Sequence, residues 1–113
     1  MSSTDGTIGG AQTTFTGTWK PEGYEATFNG NFTKSISNWR VSPATLDPSN
    51  LEDLTGKYTM EDDGLSYIGK DNIKLTFTKA GGKKIVITGD LDTPLSERTT
   101  VGGSGTWTLS LAK

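Results

Sequence analysis

Apolar and hydroxyl side chains alternate one for one in stretches spread along the whole chain. In "TFTGTWK", Phe15, Gly17 and Trp19 share one face, and Thr14, Thr16, Thr18 and Lys20 share the other. "IKLTFTK" sets Ile73, Leu75 and Phe77 against Lys74, Thr76 and Thr78, and "TWTLSLAK" sets Trp107, Leu109 and Leu111 against Thr106, Thr108 and Ser110. A repeat of two residues is the signature of a strand with one buried and one solvated face. The commonest residues agree with it. There are 19 Thr and 15 Gly among 113 residues, a β-branched strand former and a turn former, which leaves little material for helices.

"YEATFNGNFT" alternates as well, with Tyr24, Ala26, Phe28 and Phe32 facing inward; Gly30 falls in the inward set and marks a bulge, a bend or a tight turn. "SISNWRV" breaks the rule. At a strict period of two, Trp39 shares a face with Ser35, Ser37 and Val41, while Ile36 shares one with Asn38 and Arg40, and Pro43 ends the segment. "LDPSNLEDLTG" predicts one short helix near 47–54. Asp47 is its N-cap, Pro48 its first helical residue, and Gly56 follows its end. Short strands and turn signals roughly every ten residues fit a sandwich or a small barrel. The expected fold is all-β: a single antiparallel β-sandwich or small β-barrel of about 7–8 short strands, with that one helix. Residues 1–12, rich in Ser, Thr and Gly, read as a flexible tail, and 13–113 as a single domain.

The missing residue types exclude as much as the present ones imply. The chain has no cysteine and no histidine. Thiol nucleophiles, disulfides and zinc-thiolate sites are therefore absent, as are the commonest general base and the commonest transition-metal ligand. A net charge of −2 provides no basic field for nucleic acid. No apolar run is long enough for a membrane-spanning helix, and "MSSTDGTIGGAQ" lacks the apolar stretch of a signal peptide. Charge is segregated: residues 47–72 hold seven acids against two lysines, whereas residues 73–88 hold four lysines and no acid. "VGGSGT" lacks the Lys-Ser/Thr of a phosphate loop and enters a strand.

Carboxylates are the remaining catalytic or metal candidates. Glu61, Asp62 and Asp63 form one cluster, and Asp90 and Asp92 a second. Both sit at turns, where Asp is favoured for backbone hydrogen bonding, and neither matches an EF-hand loop. They are kept as calcium candidates only, and no cofactor is expected.

The aromatic residues are more informative. Trp19 and Trp107 lie on inward faces and read as core residues. Both stand in a GTW triplet, one near each end of the chain, which predicts that the first and last strands pair or face one another. The glycine ahead of each indole would let it seat closely against a neighbouring strand. Trp39 lies outside any clean pattern, among Asn38, Arg40 and serines; it either caps one end of the core or forms a partly exposed platform, and the platform is the reading that would make a site. Sugar rings stack on such faces while amides, guanidinium and phenol groups bond their hydroxyls. Tyr24, Tyr58 and Tyr67 are the expected partners, with the Asp90 loop as a further contributor.

"TGTWKP" resembles the G-x-W signature of the first strand of calycins, the group of lipocalins, fatty-acid-binding proteins and avidins, and "GTWTLSL" falls where avidins also carry a late-strand tryptophan. The resemblance spans about ten residues. It departs from the group at "KPEG", which replaces the polar run that follows the first tryptophan in avidins, and at the six residues left after Trp107. It favours a barrel over a sandwich. The aromatic residues, and not the resemblance, give the expected function: a non-catalytic binding module with a carbohydrate as ligand. The alternatives are a calycin-like barrel holding a small apolar ligand, or a structural module that meets another protein or its own copies.

Overall fold

Every alternating stretch forms a strand. A computed structural model describes residues 4–20, 23–47, 54–60, 64, 66–79 and 82–111. They form eight strands: β1 (Thr4–Trp19), β2 (Tyr24–Asp47), β3 (Gly56–Met60), β4 (Tyr67–Gly69), β5 (Asn72–Lys79), β6 (Lys83–Leu91), β7 (Arg98–Thr100) and β8 (Gly103–Leu111). All pairings are antiparallel. No helix among the described residues is long and apolar enough to cross a membrane.

One long strand closes the barrel. The first part of β2 pairs with β8 from Tyr24 to Phe32, and its last part pairs with β6 from Val41 to Asp47. β8 continues through β3 and β5 back to β6, so β2, β8, β3, β5 and β6 form a closed ring. The other three strands lie outside the ring: β1 pairs with β2 along most of its length, and β4 and β7 extend from β5. The architecture is thus a small barrel and not a sandwich. Closure leaves fewer open strand edges and lets a thin core be surrounded on all sides.

The core follows the predicted parity except at the end of β8, where Leu109 is half-buried and Leu111, expected inward, is exposed. Phe15, Trp19, Phe28, Tyr58, Phe77 and Trp107 are buried, together with the inward Ile and Leu residues of β5 and β6. Phe28 and Trp107 are cross-strand partners and stack at 4.4 Å between centroids and 8° between planes. Trp19 packs against Trp107 at 5.4 Å. The two GTW strands therefore flank β2, do not pair with each other, and bring their indoles together inside. The glycines serve this packing: a Cβ on Gly17 would lie 2.6 Å from the Trp19 ring, and one on Gly105 would lie 2.6 Å from Phe28. Gly105 thus makes room for Trp107's stacking partner, whereas Gly17 makes room for its own strand's tryptophan.

Three expectations change. The helix near 47–54 is not seen among the described residues: Asp47 ends β2, Leu54 is a buried residue in a bend, and residues 48–53 lie outside the description. Pro43 does not end its strand, because β2 runs on to Asp47 through a register shift between Val41 and Ala44. Residues 4–12, expected as tail, form the first part of β1 and pair with Leu46 to Ile36 of β2. Backbone pairing needs no apolar side chains, and the single branched aliphatic residue here, Ile8, is buried. The local glycines allow close approach. A Cβ on Gly6 would lie 2.2 Å from the Thr18 carbonyl and 2.6 Å from the Trp19 ring, so β1 folds back on itself with Gly6 against its own far end.

Candidate binding cleft

β2 is longer than β1, 24 residues against 16, and the surplus is taken up at fixed points. Gln12 pairs with Ile36 and Gly10 with Trp39, so two steps on β1 match three on β2. An extra residue of this kind is a β-bulge, and it resets which side chains face inward. Here Ser37 and Asn38 are both exposed, while Ile36 and Trp39 both turn into the core. The mixed polarity of "SISNWRV" is therefore one buried face read across a bulge.

This corrects the expected platform. Trp39 is 5% exposed and packs against Phe32, with ring centroids 6.0 Å apart. Its Nε1 is buried and has no acceptor among the described residues; the same is true of Trp107 Nε1, whereas Trp19 Nε1 donates to the Ala44 carbonyl at 2.9 Å. Buried indole N–H groups are normally bonded, so the Trp39 donor is unusual.

Arg40 points the other way, with 68% of its side chain exposed. It stands between two surface clefts, and Trp39 contributes to both. The larger, about 330 Å³, opens between the two arms of the folded β1. Its walls are Thr7, Gly9 and Gly10 from the first arm and Thr16 and Thr18 from the second. The smaller, about 190 Å³, is lined by Asn38, Arg40, Asp92 and Thr93. A third cleft of about 420 Å³ shares Thr7 and Thr18 with the first and continues toward Asp5, Lys20 and Glu25.

The segment after β6 is fastened to this site. The Asp92 N–H donates to the Arg40 carbonyl at 2.8 Å, and the Ser42 N–H donates to Asp92 Oδ1 at 3.2 Å. Asp92 Oδ2 faces Arg40 Nε at 3.8 Å, beyond hydrogen-bond distance. Such an exposed pair adds about 0.2–1 kcal/mol and orients the guanidinium more than it holds it.

The residues expected to act together are thus brought together only in part. Asn38, Trp39 and Arg40 share one cleft with Asp92 of the Asp90 loop. The tyrosines are engaged elsewhere. Tyr24 is half-buried opposite Leu111 on β8. Tyr58 is fully buried, with the Lys79 ammonium 5.8 Å from its ring. Tyr67 on β4 lies under the Arg98 guanidinium at 4.0 Å. Of the calcium candidates, Asp90 is exposed opposite Asn72, Asp92 serves Ser42 and Arg40, and Glu61, Asp62 and Asp63 lie outside the described residues. Among the described residues no three Asp or Glu side chains gather as a metal site. The β1 wall of the cleft escaped the sequence reading, because Thr7, Gly9 and Gly10 read as tail and Thr16 and Thr18 as an ordinary solvated strand face. Compared with protein-family models, curated proteins and solved structures, the chain matches none of them.

Proposed function

We propose that the protein is a non-catalytic binding module that takes a carbohydrate on the outside of its barrel, in the clefts around Arg40. One observation carries this reading. A guanidinium, an amide, a carboxylate and several threonine hydroxyls converge on adjoining concavities that share Arg40 and Trp39. Sugar recognition needs this mixture of donors and acceptors within reach of one another. The barrel interior gives no comparable support for an apolar ligand, because Trp19, Phe28 and Trp107 pack against one another through it.

A glycan array paired with a mass measurement by size exclusion tests the proposal. Binding to a defined glycan set, lost in Arg40→Ala and retained in Lys84→Ala on the exposed start of β6, is the expected result. A blank array with a clean oligomer would overturn it in favour of an assembly module.

A further inference from the structure

The fold-back of β1 is strained at one residue. Gln12 has a φ of 56°, in the left-handed region that side chains rarely enter. The other such residue, Lys70, occupies the two-residue turn between β4 and β5, where a positive φ is ordinary. Gln12 instead lies inside a strand, and the register with β2 shifts on both sides of it. Here the chain doubles back, so that Gly10 lies against the Thr14 carbonyl and Gly6 against the Thr18 carbonyl. A glycine would make this bend freely; a glutamine makes it at a cost.

The arm ahead of Gln12 is held by contacts that the arm of a second copy would make equally well. β1 pairs with β2 alone, and the ring of five strands closes without it. The arm lies along Leu46 to Ile36 of β2 as an antiparallel ladder. Of its side chains only Ile8 is buried, and the Asp5 carboxylate accepts a hydrogen bond from the Thr45 hydroxyl at 2.9 Å. These partners, like the Thr14 and Thr18 carbonyls, belong to the chain after Gln12. An identical arm laid on the same body therefore remakes them. Only the bend itself would differ, together with the exposed bond from the Thr14 hydroxyl to the Ala11 carbonyl, 3.2 Å long.

We infer that two copies of this chain exchange residues 4–11 across Gln12, each arm completing the sheet of the other copy in a two-fold dimer. Exchange of an identical element costs little, because both forms share their contacts, and a short strained hinge invites it. Opening the bend relieves Gln12 in both chains. Lost freedom on association opposes it, so the dimer grows with protein concentration. The larger cleft is then composite: Thr7, Gly9 and Gly10 come from one copy, and Thr16, Thr18 and Arg40 from the other. The exchange is independent of what the cleft binds, and its failure leaves the carbohydrate reading untouched.

The test holds the full chain at millimolar concentration just below its melting temperature, then measures mass by light scattering after gel filtration. A species of twice 12.0 kDa is expected, in a fraction that rises with concentration. Gln12→Gly should raise its dissociation constant about tenfold or more, since glycine removes the left-handed penalty at both hinges. Gln12→Val, whose branched side chain is a poorer fit to that region, should lower it. The absence of cysteine permits a direct check of exchange. Asp5 and Thr45 are register partners, so Asp5→Cys combined with Thr45→Cys can be oxidised to a disulfide across the pair. In the dimer fraction that bond should join two chains on a denaturing gel without reductant; in the monomer fraction it should close within one. A dimer whose disulfide closes within each chain overturns the exchange. Monomer alone at every concentration, in the native chain and in Gln12→Val, overturns the inference outright. Equal dissociation constants for the native chain and Gln12→Gly overturn Gln12 as the hinge whose strain favours the dimer.

Discussion

At one end of the β1–β2 hairpin, Thr14–Trp19 runs against Asn31–Ala26 with no break in register; at the other, Thr4–Gln12 runs against Leu46–Ile36 with shifts after Gly6 and after Gly10. Both ends bury a tryptophan, Trp19 in the first and Trp39 in the second. The regular end directs every second side chain into the core and presents an even outer row of Thr and Asn. The shifted end gains a residue on β2 at each irregularity, so neighbouring side chains are re-aimed and the surface becomes concave. Core-making and site-making are thus separated along one hairpin. The two ends are joined where Trp19 Nε1 donates to the Ala44 carbonyl on the far arm.

The comparison breaks most completely at Trp19. Its ring is fully buried against Trp107, and truncation removes both that contact and the bond to Ala44. Trp19→Ala should cost about 3–5 kcal/mol in urea denaturation, a large share of the stability of a domain this size. A loss below about 1 kcal/mol would mean that the regular end is not the seat of the core. The next largest effect is at Gly6. If residues 4–12 were a tail, Gly6→Ala would be neutral or slightly stabilising, because alanine restricts the unfolded chain. Packed as it is, with the Thr18 carbonyl 2.2 Å from the added Cβ, the same change should destabilise by about 1–3 kcal/mol. The sign of the shift in thermal midpoint decides between the two.

The division also explains what could be read from the chain. Barrel strands such as Ile73–Phe77 keep strict alternation, so their inward residues were legible, as were the core places of Trp19 and Trp107; the same alternation failed at the end of β8, where Leu111 is exposed. Bulges were not legible, because a period-two reading has no symbol for an extra residue. It put Ile36 and Trp39 on opposite faces, and so turned a core indole into an apparent platform. Glycine was ambiguous for a related reason. Gly6 and Gly10 look like flexibility in a sequence, yet each stands where another part of β1 comes too close for a Cβ. The Asn38–Trp39–Arg40 cluster was found because polar residues beside a tryptophan stand out locally. Its β1 wall depends on a strand folding over itself, which no local pattern records.

Smaller effects sharpen the contrast between the two indoles. Trp19→Phe and Trp39→Phe remove the same volume from buried sites, but only Trp19 loses a hydrogen bond within the protein. Trp19→Phe should therefore be the more destabilising, by about 1 kcal/mol. Equal losses in denaturant titrations would mean that the Trp39 N–H has a partner within the fold. The smallest effect belongs to Arg40. Its guanidinium is largely exposed and its contact with Asp92 is long, so Arg40→Gln should change stability by no more than about 0.5 kcal/mol. The Asp92 segment keeps its bonds to the Arg40 carbonyl and the Ser42 N–H, neither of which needs the guanidinium. A loss well above 1 kcal/mol would make Arg40 a structural post of the bulge. A near-zero loss, beside a large loss of ligand affinity, would place its contribution at the cleft, where the shifted end of the hairpin differs from the regular one.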